Sequence, residues 1–111
     1  MNVLGIQNVI EASKEAKVKA LIYTSTSNVV ISKEMVGKWI ELDENLPYAR
    51  HPINAYIKTK IQGEKLVLKA HSEEFKTISI RPCSGVFGPR DNLFLEKILR
   101  TEKIDVIDHF F

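Results

Sequence analysis

Tyr56 and Lys60 are the residues in this chain whose type and spacing carry the most direct chemistry. Four residues apart in a helix, a phenol and an ammonium lie one turn apart on the same face. An unperturbed tyrosine has a pKa near ~10 and is a poor base at neutral pH, but a fixed positive charge beside it favours the phenolate. The pair Tyr56-Ile57-Lys58-Thr59-Lys60 is therefore a candidate proton acceptor with its own electrostatic partner. The same spacing also occurs on ordinary solvated helix faces, so its meaning depends on the elements that position it.

Those elements follow from periodicity and punctuation. Residues 2–17 predict a helix with Ile6, Val9, Ile10, Ser13 and Ala16 on one face and Glu11, Lys14, Glu15 and Lys17 mostly on the other. Ala20 to Ser25 is short, apolar and rich in β-branched and aromatic residues, as suits a strand buried in a parallel sheet. It runs into Thr24-Ser25-Thr26-Ser27-Asn28. Hydroxyl residues at the carboxyl end of a parallel strand lie where open sheets bind ligands, and they serve equally well to satisfy a turn.

A long irregular stretch from about Val30 to Ile53 contains Gly37, Trp39, Pro47 and Pro52, with Trp39 read as a packing residue. Asn54 is the expected N-cap of a helix reaching about Ala70, with Ile57, Ile61 and Leu68 as its apolar stripe and Tyr56, Lys60, Gly63 and Val67 alongside. Gly63 in a helix interior costs about 1 kcal/mol relative to alanine and marks close packing against another helix. A second strand is expected over residues 76–81, then a Gly- and Pro-punctuated loop from Arg81 to Asp91, a short helix over 93–100 and a strand start over 104–107. Helix followed by strand, repeated, is the grammar of an α/β fold with a parallel sheet.

Composition narrows the field. The chain has 111 residues, 44% apolar and 27% charged, enough for one small domain. Its 16 basic and 14 acidic residues are dispersed, giving a net charge of +2 and no basic stripe for nucleic acid. No apolar run is long enough to span a membrane, and the start lacks the charged and apolar regions of a signal peptide. Cys83 alone forms no internal disulfide, and with the scattered His51, His71 and His109 it makes no zinc cluster, so no metal site is expected. A reducing, cytosol-facing compartment is the default. The opening directly into a helix and the close on His109-Phe110-Phe111 read as parts of a longer domain.

In order along the chain, Asn2-Val3-Leu4-Gly5 with Gln7-Asn8-Val9, Leu21-Ile22-Tyr23-Thr24-Ser25, Glu44-Asn45-Leu46-Pro47-Tyr48, Ala55-Tyr56-Ile57-Lys58-Thr59-Lys60 with Glu64-Lys65, and Arg81-Pro82 with Phe87-Gly88-Pro89 resemble the second half of the short-chain dehydrogenase/reductase domain. Among the extended members the chain most resembles the 3β-hydroxysteroid dehydrogenase/isomerase group, including the sterol-4α-carboxylate 3-dehydrogenases. The resemblance implies a partial Rossmann-like parallel sheet with flanking helices over residues 1–111, lacking the N-terminal glycine-rich βαβ unit. It also implies hydride transfer between a steroid or sterol 3β-hydroxyl and NAD or NADP.

Residue by residue, the resemblance makes Tyr56 the catalytic base and Lys60 the partner that lowers the tyrosine pKa and holds the nicotinamide ribose. It puts Thr26 where the family has a serine bonded to the reacting oxygen, and makes Asn2 the support of a proton-relay water. Ser25 and the Arg81-Pro82 loop fall on the cofactor side. The helices carrying Asn2 and Tyr56 are those that pair in the family's homodimers, and the expected location is the cytoplasm or the cytosolic face of the endoplasmic reticulum.

Three features depart from the pattern. Thr26 leaves Ser25 and Ser27 open as alternative hydroxyls, Cys83-Ser84 lengthens the loop after Arg81-Pro82 by one residue, and Gly5, Gly37, Gly63, Gly85 and Gly88 do not make a Gly-x-x-Gly-x-x-Gly phosphate loop. Two further readings stay open on sequence alone: a nucleotide-sugar epimerase or dehydratase of the same superfamily, and a catalytically inactive, truncated binding partner with an exposed sheet edge.

Overall fold

A computed structural model describes residues 2–38, 41–83, 86 and 88–90 of the chain. The expected helix at 93–100, the strand start at 104–107 and the packing role of Trp39 lie outside the described residues. The described elements are helix α1 (Asn2–Glu15), strand β1 (Ala20–Thr24), 3₁₀ turns at Ser27–Val30 and Lys33–Met35, helix α2 (Ala55–Lys69) and strand β2 (Lys76–Ile80). The two strands pair in parallel, in a register running from Ala20 opposite Lys76 to Thr24 opposite Ile80. The architecture is α/β, a partial Rossmann-like sheet.

α1 ends two residues earlier than its charge pattern suggests. Lys17 takes a left-handed conformation with φ of 54°, and Val18 N–H donates to Ser13 O at 2.9 Å, which closes the helix with a non-glycine residue in the reversing position. The inward stripe also differs from expectation. Ile10 is buried and Ile6 half-buried, but Val9 is 46% exposed and Ala16 faces solvent. Spacing at Val3, Ile6, Ile10 and Ser13 follows the 3.6-residue period more closely than a stripe that includes Val9.

α2 begins as its sequence predicts: Asn54 Oδ1 accepts from Ile57 N–H at 2.9 Å. Ile57, Ile61, Glu64 and Val67 turn inward, whereas Leu68, expected on the apolar stripe, is 43% exposed. Two clusters form the core of the described residues. Ile10, Tyr23, Val67 and Phe75 join α1, α2 and the sheet, and Val29, Val30, Ala49, Ile57 and Ile61 sit where the start of α2 covers the long connection.

That connection is tied down. Ala49 N–H donates to Val29 O at 2.8 Å, Lys33 N–H to His51 O at 3.0 Å and Arg50 N–H to the Ser32 hydroxyl at 3.1 Å. Asp43 Oδ1 accepts from the N–H groups of Asn45 and Leu46, closing a local turn.

β1 does not meet the expectation of burial on both faces. Leu21, Tyr23, Thr77 and Ser79 face the helices, while Ile22, Ile78 and Ile80 on the opposite face are 62%, 56% and 50% exposed. Both described helices pack on one side, which explains why an apolar strand sequence has a solvent-facing half.

Gly63 is a point of close approach. A Cβ there would lie 2.8 Å from Tyr23 Oη and 3.6 Å from Ile6 Cγ1, so its absence lets α2 settle onto both β1 and α1. Gly63→Ala is expected to destabilise the chain by about 1–3 kcal/mol through overpacking, outweighing the ~1 kcal/mol helix-propensity gain. Adding Tyr23→Phe, which removes the clashing oxygen, restores most of the loss. Urea unfolding of the single and double variants checks both signs.

Candidate functional site

The carboxyl ends of β1 and β2 continue side by side. Ser25 N–H donates to Ile80 O at 2.8 Å and Ser27 N–H to Pro82 O at 3.1 Å, so the hydroxyl run and the Arg81-Pro82 segment form one ledge beyond the sheet. α2 crosses behind it. Lys60 Nζ donates to Thr24 O, the last carbonyl of β1, at 2.9 Å. The ammonium lies 5.2 Å from the centre of the Tyr23 ring and 5.8 Å from that of Tyr56, within the range of cation–π attraction. Tyr56 is 51% exposed, so its phenol can be reached from outside while its helical neighbour is held by the sheet.

Thr26 caps the first 3₁₀ turn, its hydroxyl accepting from Asn28 N–H at a long 3.4 Å. Ser25 is buried. Asn2 is the first residue of α1, and its side chain lies outside the described part of the structure, as do Ser84, Gly85 and Phe87 of the lengthened loop.

Behind the ledge stands a residue that motif reading singles out only in passing. Glu64, one turn beyond Lys60, is 1% exposed. Its Oε1 accepts from Arg81 Nε at 3.0 Å, Arg81 Nη2 at 2.7 Å and the Tyr48 hydroxyl at 3.0 Å. The Arg81 guanidinium thus turns back into the protein; it also reaches Glu44 O at 3.4 Å and stacks 5.3 Å from the centre of the Tyr48 ring. Glu64 Oε2 and Ser25 Oγ are buried without hydrogen-bond partners.

Burial works against ionisation of Glu64, but Arg81, Ser25 and Tyr48 together outweigh it and hold the carboxyl below its usual range. The same network raises Arg81 through its bonds to Glu64. Burial, then the neighbouring Glu64, pushes up the phenols of Tyr48 and Tyr23. The available signal for Glu64 was its place eight residues after Tyr56 on the line of Tyr56 and Lys60, an acidic residue on a face that must pack inward.

Elsewhere, a groove of about 360 Å³ bordered by Lys33, Arg50, His51 and Lys58 opens on the other flank of α2. His51 Nδ1 meets Glu34 Oε1 there at 2.6 Å on the exposed surface. Among the described residues no three His, Cys, Asp or Glu side chains converge as a metal site, and no helix is long and apolar enough to cross a membrane.

Comparison with known proteins places these residues in context. A model of the 3-beta hydroxysteroid dehydrogenase/isomerase family matches residues 1–108. The chain is 42% identical over 105 residues to a Bos taurus sterol-4-alpha-carboxylate 3-dehydrogenase, decarboxylating, covering 93% of this chain and 28% of that protein. It is 45% identical over 93 residues to the Homo sapiens protein of the same name, covering 82% of this chain and 24% of the relative. It is 42% identical over 100 residues to an Arabidopsis thaliana 3beta-hydroxysteroid-dehydrogenase/decarboxylase isoform 1, covering 89% and 22%. The chain therefore spans about a quarter of the length of the curated relatives it matches. No solved structure matches it.

The buried ion pair generates a test. Because Glu64 is held below its unfolded value, its contribution to stability is full above the ordinary carboxylate range and is lost only as pH falls through the depressed folded value. Arg81→Met leaves a buried carboxylate unmatched and is expected to cost about 3–5 kcal/mol at neutral pH. Only Tyr48 and Ser25 then oppose burial, so the variant's deficit narrows on acidification as Glu64 protonates. Urea unfolding of both proteins between neutral and acid pH reads this out, and a deficit that stays constant would be contrary to it.

Proposed function

The chain belongs to the 3-beta hydroxysteroid dehydrogenase/isomerase family, and from this we propose that it carries the catalytic half of an NAD(P)-dependent oxidoreductase domain that oxidises the 3β-hydroxyl of a steroid or sterol. The observation that carries the reading is the Lys60 ammonium bonded to Thr24 O beside the accessible Tyr56 ring. A fixed cation next to a phenol, at the carboxyl edge of a parallel sheet, is what proton removal from an alcohol requires.

Lys60 has three N–H donors, and Thr24 O takes one. Two remain for the hydroxyls of a ribose, so this end of the ledge fits the nicotinamide riboside part of a dinucleotide. The pyrophosphate end has no matching glycine loop in the sequence, so these residues fit part of the cofactor and not the whole. When bound, the nicotinamide supplies an acceptor for the electron pair leaving the carbinol carbon.

Tyr56 takes the hydroxyl proton, and Lys60 stabilises the phenolate and orients the ribose. Thr26 offers a hydroxyl to the reacting oxygen, with Ser25 as the buried residue that sets its place on the ledge. Pro82, whose carbonyl holds Ser27, and Arg81, held by Glu64, fix the wall beside the nicotinamide. Asn2 would support the water that carries the proton onward.

The names of the sterol-directed relatives support an apolar substrate, and the location proposed for the chain is the cytoplasm or the cytosolic face of the endoplasmic reticulum. Self-association is assigned to α1 and α2, which pack together and leave Leu4 and Leu68 exposed. Leu68→Glu is expected to shift the chain toward monomer in sedimentation, and an unchanged distribution would remove α2 from that interface.

For the chemistry, Tyr56→Phe is expected to lower turnover of a 3β-hydroxysterol by roughly 10²–10⁴-fold while leaving cofactor affinity close to wild type. Lys60→Met is expected to weaken both. Rates and calorimetric titrations with NAD and NADP check the pair and identify the preferred dinucleotide. Unchanged turnover in Tyr56→Phe would overturn the assigned base.

A further inference from the structure

We propose that Glu64 is a positioning residue for the Tyr56–Lys60 pair, acting through α2 and Arg81 rather than by touching the reacting atoms. The proposal rests on the oxidoreductase reading above. Tyr56, Lys60 and Glu64 lie along one line of α2, each one turn from the next. Lys60 ties the helix to Thr24 O, where β1 ends, and Glu64 ties it to Arg81, the residue after β2 ends.

The geometry of two ties differs from that of one. A single bond between a helix and a sheet leaves the helix free to rotate about that point. Two bonds about one turn apart (~6 Å), to two neighbouring strands, fix both its rotation and its slide. The second tie is also the stiffer. Glu64 Oε1 takes both Nε and Nη2 of Arg81, and the guanidinium is held again by Glu44 O and the Tyr48 ring. Tyr48 bonds the same oxygen, so the long connection that borders the ledge is fixed by the same carboxylate. Ser25, between Thr24 and Thr26, is a buried neighbour of the same carboxyl group and helps to lower its pKa, while Ser25 Oγ and Glu64 Oε2 are each buried without a hydrogen-bond partner. Every element that contributes a proposed catalytic or cofactor residue, α1 excepted, therefore meets at Glu64.

The deciding variant is Glu64→Asp, which keeps the charge and shortens its reach by one methylene. If Glu64 positions the pair, kcat falls about tenfold or more while the sterol KM changes less than about twofold, and the Lys60 Nζ nitrogen-15 and Thr24 carbonyl carbon-13 resonances move. If Glu64 is only a structural residue, the folded variant is less stable but its kcat per folded molecule and both resonances match wild type, and the proposal is wrong. Tyr48→Phe deletes one donor to the same oxygen and leaves both charges. It is expected to shift the two resonances in the same direction by a smaller amount, and it decides the question if Glu64→Asp does not fold: unmoved resonances overturn the proposal. The resonances need no turnover, so they judge Glu64 even if the wild-type protein fails to oxidise 3β-hydroxysterols, a result that would overturn the oxidoreductase reading instead.

Discussion

A carboxylate removed from water must be matched inside the protein, and this requirement organises the described structure. Glu64 is 1% exposed, and the donors that match it come from two places far apart in sequence, Arg81 after β2 and Tyr48 in the long connection. Leaving out Arg81 would strand a buried charge and leaving out Tyr48 would remove a donor to it, so the ends of the sheet, α2 and the connection have to arrive together. The buried ion pair makes the arrangement specific, while most of the stabilisation comes from the two apolar clusters on either side of it. Burying a charge at this point is an expensive way to hold a helix, and it is understandable only where the helix face matters.

Local signals were legible in the sequence. The Asn54 cap, the span of α2, the two strands and the close approach at Gly63 all follow from rules that act within a few residues. The errors arose where a residue's environment depends on what packs against it. Val9 and Leu68 have apolar side chains at plausible helical spacing, yet the neighbours that cover α1 and α2 lie on other faces. β1 reads as fully buried because its composition does, and the described residues cover only one of its faces.

The candidate site divides in the same way. Tyr56 and Lys60 could be paired from spacing alone, because a helix brings residues four apart into register. The bond from Lys60 to Thr24 O, and the turning of Arg81 toward Glu64 and away from the ledge, are long-range matters that no local pattern encodes. Arg81 reads from sequence as a loop residue on the ligand side. Its guanidinium is held by the core because an arginine fork and a buried carboxylate satisfy each other better than either is satisfied by water-poor surroundings.

The strand register has a further consequence, for the chain as it is made. Ala20 is synthesised well before Lys76, its partner across the sheet, with the whole of the long connection and α2 between them. At ribosomal rates of ~5–20 residues per second, β1 waits roughly 3–11 s for β2 to be added. α1 and β1 can meet sooner, since only a short turn joins them. Through that interval the inter-strand hydrogen-bonding groups of β1 have no partner in β2, and α2 has no Arg81 to receive Glu64. The nascent chain therefore passes through a stage in which β1 lacks β2 and one acidic side chain lacks its arginine.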